Sequence, residues 1–329
     1  YYYTAGQMHA RPKRGLLSRP TLAEIIDYRS YVDTAMLQLL QTRGDDTEVS
    51  QVTTLGLNHE QQHQELLLTD IKHVFSCNPL KPAARPSLPI PDSVSVPAYT
   101  YSNGISGIQS IGADGDGFFF DNETPRHDAL LHRHRVGNRL VTNGEYREFI
   151  DDGGYSKSDL WLSDGWAAVQ ERGWQRPLYW NESLETEFTL GGLRAIDADA
   201  PVCHVSYYEA DAFARWAGAR LPTEFEWELA AAEAPQGNLL DAGFWQPAAK
   251  DASQFFGDVW EWTSSSYAPY PGFKPLTGSL GEYNGKFMCS QMTVRGGSCV
   301  TSADHIRASY RSFFYPDARW QFLGIRLAK

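Results

Sequence analysis

A proline-rich stretch divides this chain into two parts of different character. Six prolines lie between residues 78 and 97 of the 329-residue sequence. Proline has no main-chain N–H and fixes its own φ angle, so a stretch of this kind favours an extended linker over a helix or a strand. We therefore expect a helical domain at 1–78, a linker at 79–97 and a second domain at 98–329.

The first part has the apolar spacing of two long helices. Leucine, isoleucine and valine recur at helical intervals and predict helices over residues 20–43 and 47–75, with a short turn after Gly44. Two helices alone bury little, so the spacing favours part of an antiparallel bundle. The chain starts at Tyr1 without an initiator methionine. We therefore expect the bundle to be incomplete at its N-terminal end.

The second predicted helix carries two histidines, His59 and His63, inside the run Asn58-His59-Glu60-Gln61-Gln62-His63-Gln64-Glu65. Residues four apart share a helix face, so both imidazoles can reach one metal ion. Neutral imidazole is a common ligand for zinc, iron, copper and nickel. The alternative is a pair of polar residues on a solvated face. The surrounding carboxylate and amide side chains favour the metal site.

The same run also matches the H-E-x-x-H signature of zinc proteases, in which the glutamate is a general base. The extended form of that signature fails, because Leu66 stands where the glycine is required and Thr69 where the third histidine is required. The sequence therefore favours another kind of metal enzyme.

The second part predicts an irregular α+β domain. All ten tryptophans follow residue 160, and helical patterns are regular only over 207–218 and 223–232. The net charge of −11 argues against a nucleic-acid partner. No apolar run is long enough to cross a membrane. The four cysteines have no C-x-x-C spacing and indicate reduced thiols in a cytoplasmic protein.

A series of short motifs in the second part resembles the formylglycine-generating, sulfatase-modifying family, which has a C-type-lectin-like fold. The motifs occupy 121–127, 141–146, 201–206, 219–228, 257–263, 294–298 and 324–327. The copper-binding members of that family carry a cysteine pair after the Arg-Gly-Gly-Ser segment. Here Cys299 follows Ser298 and no second cysteine comes after it. Copper oxidation of a substrate cysteine is therefore not expected, and Cys299 is predicted to be a small buried residue.

The combination of a DinB-type helical bundle with this lectin-like domain resembles the sulfoxide synthases of ergothioneine biosynthesis. Three further segments, at 14–20, 270–273 and 317–322, are also similar to that family. The resemblance implies a non-heme iron enzyme that uses dioxygen to join a thiol sulfur to the imidazole of trimethylhistidine (hercynine).

The family resemblance also implies the metal ligands. It assigns His59 and His63 to iron(II), with a third histidine from an earlier helix, which we expect upstream of Tyr1. His9 is a poor substitute, because it lies in a segment rich in proline and arginine. The glutamine that matches Gln62 hydrogen-bonds the substrate imidazole in the family.

Arg11 and Arg14 are three residues apart near the start of the chain. Guanidinium groups suit carboxylates, and gamma-glutamylcysteine carries two of them. A solvated basic loop is the alternative. The family places two arginines here to hold the thiol substrate, so that role is favoured.

Five residues of the second domain complete the predicted site. The resemblance implies a loop tyrosine near the iron as proton donor, for which Tyr267 and Tyr270 are the candidates. Ser312, Phe313 and Phe314 replace an Asn-Trp-Asp pattern that meets the trimethylhistidine in other family members. Aromatic rings can hold a quaternary ammonium by cation–π attraction.

The predicted function is that of an iron(II)- and dioxygen-dependent sulfoxide synthase acting on trimethylhistidine and on gamma-glutamylcysteine or cysteine. A selenoneine synthase, which takes a selenosugar as donor, is the alternative within the superfamily. A non-catalytic lectin-like binding module with a vestigial helical part is the alternative of another class. The predicted partners are small molecules, with neither nucleic acid nor membrane.

Overall fold

The computed structural model describes residues 19–92, 94–250, 254–276 and 284–329, and these residues form an α+β structure. The helices are α1 Leu22–Arg43, α2 Thr47–Cys77, α3 Asn143–Asp151, α4 Ser163–Arg172, α5 Tyr207–Trp216 and α6 Glu224–Ala231. The strands are β1 Tyr101–Asn103, β2 Gly107–Ile111, β3 His127–Leu131, β4 Arg135–Gly137, β5 Thr186–Thr189, β6 Gly192–Ala195, β7 Trp260–Ser266, β8 Met292–Arg295, β9 Ser312–Phe314 and β10 Leu323–Gly324.

The first two helices form a hairpin, as their spacing predicts. Thr21 and Glu24 make a capping box at the start of α1, and the Asp46 carboxylate caps α2 by accepting from the Glu48 and Val49 N–H groups. No residue of α1 is buried, and several of its leucines, isoleucines and tyrosines are exposed. The predicted DinB-like bundle is not confirmed, because α1 and α2 are the only helices within residues 19–92.

The proline-rich stretch has neither helix nor strand in its described residues. It is nevertheless held against the second domain. The Arg194 guanidinium donates to the carbonyls of Leu88 and Pro89 at 2.7 and 3.1 Å, and the Arg85 N–H donates to the carbonyl of Leu190 at 3.1 Å. The described residues of the linker contain turns, such as the one closed by the Leu88 N–H and the Arg85 carbonyl, and they pack along the β5–β6 hairpin.

The second domain is built around one four-stranded sheet with the order β10-β7-β8-β9. Strands β10 and β7 are parallel, and the other neighbours are antiparallel. Three two-stranded pairs, β1–β4, β2–β3 and β5–β6, surround this sheet. Gly296, just after β8, has a φ of 98°, and a Cβ there would lie 2.4 Å from the Phe255 carbonyl oxygen. Only glycine fits this close approach.

Helices α3, α5 and α6 all begin with a capping box. In α3 and α6 the glutamate of the capping box also forms an ion pair with one arginine outside the helix. Glu145 and Glu226 are the third residues of α3 and α6, and they accept from Arg139 and Arg220 at 2.7–2.9 Å. The two helices predicted over 207–218 and 223–232 are α5 and α6. Helices α3 and α4 were not predicted, because their nine and ten residues give too short an apolar pattern.

Helix α2 docks on the second domain along one stripe. Its buried residues are Glu65, Thr69, Lys72 and Ser76, which are three or four positions apart. Such spacing is one face of a helix. The C-terminal half of α2 therefore belongs to the same packed unit as the central sheet. No described helix is both long and apolar enough to cross a membrane.

Candidate active site

The two histidines of α2 face each other. The Nε2 atoms of His59 and His63 are 3.1 Å apart, and the rings meet edge to face with centroids 4.5 Å apart. Two imidazole nitrogens bound to one metal at about 2.1 Å and a right angle would be roughly 3 Å apart. Burial and the neighbouring His63 lower the pKa of His59, while Glu60 acts in the opposite sense. The distance between the two nitrogens therefore fits a divalent metal bound by both imidazoles.

The described residues supply no third His, Cys, Asp or Glu side chain to complete a metal site with His59 and His63. No group of three or more His, Cys, Asp or Glu side chains in residues 19–92, 94–250, 254–276 and 284–329 is placed to hold a metal. His73, the third histidine of α2, instead hydrogen-bonds through Nδ1 to the Tyr179 hydroxyl at 3.1 Å. His9 lies outside the described residues, as does any histidine upstream of Tyr1.

Glu65 anchors the helix directly beside this pair. Its carboxylate accepts from the Trp260 indole N–H at 2.7 Å and from the hydroxyls of Ser298 and Thr301 at 2.8 Å. Burial raises the pKa of Glu65, and these three hydrogen bonds oppose that effect. All three donors belong to the second domain. Glu65 therefore fixes the position of α2, and with it the two histidines, relative to the sheet.

A second buried contact anchors the next turns of α2. The Lys72 ammonium donates to Nε2 of His204 at 2.6 Å and lies 4.6 Å from the ring centre of Phe322. Burial lowers the pKa of both Lys72 and His204, and the charge of Lys72 lowers that of His204 further. A neutral His204 can accept from the ammonium at Nε2, so the contact gives each of these two buried side chains one hydrogen bond.

A cavity of about 230 Å³ opens between α2 and the second domain. Most of its wall is aromatic or amide-bearing. Its lining residues are Gln62, Glu65, Leu66, Phe120, Asn122, Trp260, Asn284, Phe287, Tyr310, Arg311, Ser312, Phe313, Phe314 and Gln321. Four of the predicted site residues, Gln62 and Ser312–Phe314, therefore line one cavity. Gln62 and Ser312 are 250 positions apart in the sequence.

The two histidines lie on the helix stripe that borders this cavity. His59, Gln62, His63 and Leu66 follow the i, i+3, i+4, i+7 spacing of one helix face. Gln62 and Leu66 are part of the cavity wall. His59 and His63 are themselves exposed and do not line the cavity, so a metal bound to them would lie on the helix face next to the cavity-lining Gln62.

Strand β9 supplies the opposite wall. Ser312, Phe313 and Phe314 form this edge strand, paired with Val294, Thr293 and Met292 of β8. The Phe313 ring stacks on Phe287, with centroids 5.7 Å apart and an angle of 28° between the rings. Aromatic faces of this kind attract a quaternary ammonium group.

The two predicted tyrosines occupy different places. Tyr267 stacks on Phe313 with centroids 4.0 Å apart, and its hydroxyl accepts from the Asn122 amide at 2.9 Å. It therefore lies directly behind the cavity wall. Tyr270 is not a lining residue, and its hydroxyl accepts from the buried Arg295 guanidinium at 2.9 Å. Burial raises the pKa of both hydroxyls, so both hold their protons near neutral pH.

The one arginine of the cavity wall is already paired. The Arg311 guanidinium donates to both carboxylate oxygens of Glu224 at 2.9 and 3.0 Å and to the carbonyls of Asn122 and Ala268. A substrate carboxylate would have to displace Glu224 to reach it. Arg11 and Arg14, the arginines predicted to bind carboxylates, lie outside the described residues.

Sequence reasoning missed Glu65, Trp260, Tyr310 and His305. The Tyr310 hydroxyl accepts from the Gln62 amide at 2.5 Å and lies 3.1 Å from Nε2 of His305. Glu65 lies one turn after Gln61, at the end of the run that predicted the metal site. The apolar residues Leu66 and Leu67 that follow it were a local sign that one face of this turn of the helix is buried. Trp260 lies inside the motif at 257–263, but that motif indicates the family and not a contact with α2. Tyr310 and His305 give no local signal, because their partners on α2 are remote in the sequence.

Comparisons with known proteins agree with this architecture. The sulfatase-modifying factor enzyme 1-like domain matches residues 79–246 and 240–329. The hercynine oxygenase of Mycobacterium tuberculosis is 35% identical over 97% of this chain and 81% of its own length. The ergothioneine biosynthesis protein 1 of Schizosaccharomyces pombe is 29% identical over 64% of this chain and 28% of its own length. The formylglycine-generating enzyme of Streptomyces coelicolor is 27% identical over 66% of this chain and 84% of its own length.

Proposed function

Because this chain belongs to the sulfoxide synthase-like family that includes the hercynine oxygenases, we propose that it is an iron(II)- and dioxygen-dependent enzyme that joins trimethylhistidine to a thiol as a sulfoxide. Family membership makes it an oxygenase with small-molecule substrates and a hercynine-oxidising role. The proposal adds the metal, the donor and the residues. It replaces the zinc protease and the non-catalytic binding module as interpretations of the chain.

One observation carries the residue assignment. The histidine pair shares a helix stripe with Gln62, and Gln62 lines the same cavity as Ser312, Phe313 and Phe314 of β9. Iron(II) held by His59, His63 and a further histidine would supply dioxygen activation and would favour the thiolate form of the donor. Completion of a DinB-like bundle by a segment outside the described residues belongs to the same proposal.

The residues of the chain then have separate tasks. Gln62 hydrogen-bonds the substrate imidazole, and the rings of Phe313 and Phe314 receive the trimethylammonium group together with Ser312. Tyr267 or Tyr270 holds the proton that the reaction needs, and the position of Tyr267 behind Phe313 favours it over Tyr270. The aromatic wall excludes water from the reacting atoms.

The experiment that tests this function is turnover of trimethylhistidine by the iron-loaded protein with a panel of donors. We expect gamma-glutamylcysteine or cysteine to give a sulfoxide. Turnover with a selenosugar alone would make the chain a selenoneine synthase. Failure with every donor would contradict the proposal.

Arg11 and Arg14 provide a prediction about the donor. Replacing either with Ala is expected to raise the apparent KM for the thiol about ten- to hundredfold, the effect of losing one charge-assisted hydrogen bond, with little change for trimethylhistidine. Arg311 cannot substitute, because Glu224 occupies it. Steady-state kinetics with each substrate varied in turn makes the measurement.

Lys13→Ala is the matched control, since it removes one positive charge from the same segment. It is expected to leave the thiol KM within about twofold, the change expected for a screened surface charge. A thiol KM that Arg11→Ala and Arg14→Ala leave unchanged would remove the carboxylate assignment and favour a donor without carboxylates.

A further inference from the structure

A chain of hydrogen bonds runs from the surface of the second domain to the cavity. Its members are Asp304, Gln61, His305, Tyr310 and Gln62. Two of them, Gln61 and Gln62, are consecutive residues of α2, and the other three lie between β8 and β9. The chain therefore starts at Asp304 in the second domain, crosses to Gln61 of α2, returns through His305 and Tyr310, and ends at Gln62 of α2.

The direction of each hydrogen bond follows from the first one. The Gln61 amide donates through Nε2 to Asp304 at 2.7 Å. The pKa of Asp304 is lowered chiefly by the Ser302 hydroxyl, so the carboxylate is ionised and can only accept. The Gln61 atom that contacts His305 is then the amide oxygen Oε1, which lies 3.0 Å from Nδ1 of His305. Nδ1 of His305 must therefore carry a hydrogen.

The same logic fixes the tyrosine. Burial and the charge of Arg307 lower the pKa of His305 to about 4, so the ring is neutral with its single hydrogen on Nδ1. Its Nε2 can only accept, and it accepts from the Tyr310 hydroxyl at 3.1 Å. The Tyr310 oxygen in turn accepts from Nε2 of Gln62 at 2.5 Å. The NH₂ branch of the Gln62 amide is thus directed at Tyr310.

We infer that Tyr310 and His305 are positioning residues that orient the Gln62 amide so that its carbonyl oxygen receives the N–H of the substrate imidazole. This inference rests on the proposed function. If the Gln62 amide were turned the other way, its NH₂ group would face the N–H of the substrate imidazole. Two donors would then meet, and no hydrogen bond could form. The chain therefore selects an imidazole with a hydrogen on the ring nitrogen that faces Gln62.

The surroundings hold Tyr310 in this place. Its ring packs against Trp260 and Phe120 with centroids 5.6 and 5.7 Å away, and only 2% of the residue is exposed. A Tyr310→Phe substitution keeps these ring contacts and removes only the hydroxyl. Its effect on the cavity is then an effect on hydrogen bonding.

A double-mutant cycle tests the inference. Binding of trimethylhistidine is measured by calorimetry for the wild type, Gln62→Ala, Tyr310→Phe and the double variant. Tyr310→Phe is expected to raise the Kd about three- to tenfold in the wild-type background, the effect of one neutral hydrogen bond. In the Gln62→Ala background it is expected to have no effect, because Tyr310 acts through Gln62. The KM for the thiol should not change.

Tyr99→Phe is the matched control. It also removes a hydroxyl that hydrogen-bonds within the second domain, to the Leu327 N–H at 2.8 Å, and Tyr99 is not a cavity residue. Its Kd for trimethylhistidine should equal that of the wild type. Asp304→Ala provides a variant at the exposed end of the chain, where folding is not at risk. It should raise the Kd only about twofold, because the Gln61–Asp304 hydrogen bond is exposed to water.

The outcomes separate the two levels of the proposal. A wild-type protein that neither binds nor converts trimethylhistidine contradicts the proposed function. A wild-type protein that binds it, with equal effects of Tyr310→Phe in both backgrounds, contradicts the positioning role alone. If Tyr310→Phe fails to fold, an unchanged Kd in Asp304→Ala would overturn the inference, and a raised Kd would support it.

Discussion

Replacing His59 or His63 with Ala is expected to remove iron binding and oxygen-dependent turnover together. The two Nε2 atoms are 3.1 Å apart on the helix face that also carries Gln62, so each variant loses one of the two nitrogen donors that converge there. Loss of a group that merely supports a ligand costs about 10–100-fold in metal affinity or activity, and loss of a ligand itself should exceed about 100-fold. Metal analysis of the purified variants and dioxygen uptake make the measurement.

His73→Ala is the matched control for both variants. His73 belongs to the same helix, but its ring contacts Tyr179 and does not point to the pair. Its replacement should leave the iron content and the rate at wild-type levels. Full iron content and full rate in His59→Ala would show that the metal assignment is wrong.

The second large effect is expected from Glu65→Ala. The substitution leaves the Trp260 indole N–H and the Ser298 and Thr301 hydroxyls without their acceptor in a buried place. Each unsatisfied buried donor costs about 1–3 kcal/mol. Because the three donors can partly rearrange, we expect the free energy of unfolding to fall by about 3–5 kcal/mol, as when one partner of a buried pair is removed. Urea unfolding followed by tryptophan fluorescence measures this change.

Thr69→Ala is the comparison variant one turn further along the same buried stripe. The Thr69 hydroxyl donates to the Leu66 carbonyl, so this hydrogen bond stays inside α2. Its loss should cost about 1 kcal/mol, the usual contribution of one such hydrogen bond. A Glu65→Ala variant no less stable than Thr69→Ala would contradict the anchoring role of Glu65.

The helices could be predicted from the sequence because their signals are local. Apolar spacing and the turn at Gly44 placed α1 and α2 within about two residues of their observed ends, and the helical pattern over 223–232 placed α6. The residues that join α2 to the sheet could not be predicted. Glu65 and Trp260 are 195 positions apart, and nothing in either segment indicates the other.

The candidate site was predictable only in part, for the same reason. Family motifs named Gln62 and the strand Ser312–Phe314, and the fold brings them to one cavity. Tyr310 and His305 carry no motif of their own, and their importance comes from contacts with two glutamines of α2. The roles of Tyr267 and Tyr270 could not be separated by sequence, because both follow β7 in a single loop. In the structure the two hydroxyls have different partners, Asn122 for Tyr267 and Arg295 for Tyr270.

Turnover of trimethylhistidine under isotopically labelled dioxygen tests the central claim most directly. The anaerobic protein is loaded with iron(II), supplied with trimethylhistidine and gamma-glutamylcysteine or cysteine, and exposed to ¹⁸O₂. Formation of the C–S bond and the sulfoxide removes the imidazole C–H and the thiol hydrogen, consumes one dioxygen and releases one water. We predict a conjugate whose sulfoxide carries one labelled oxygen, with dioxygen uptake equal to product. Dioxygen uptake independent of trimethylhistidine, or no conjugate with any thiol or selenium donor, would contradict the assignment of this chain as a sulfoxide synthase.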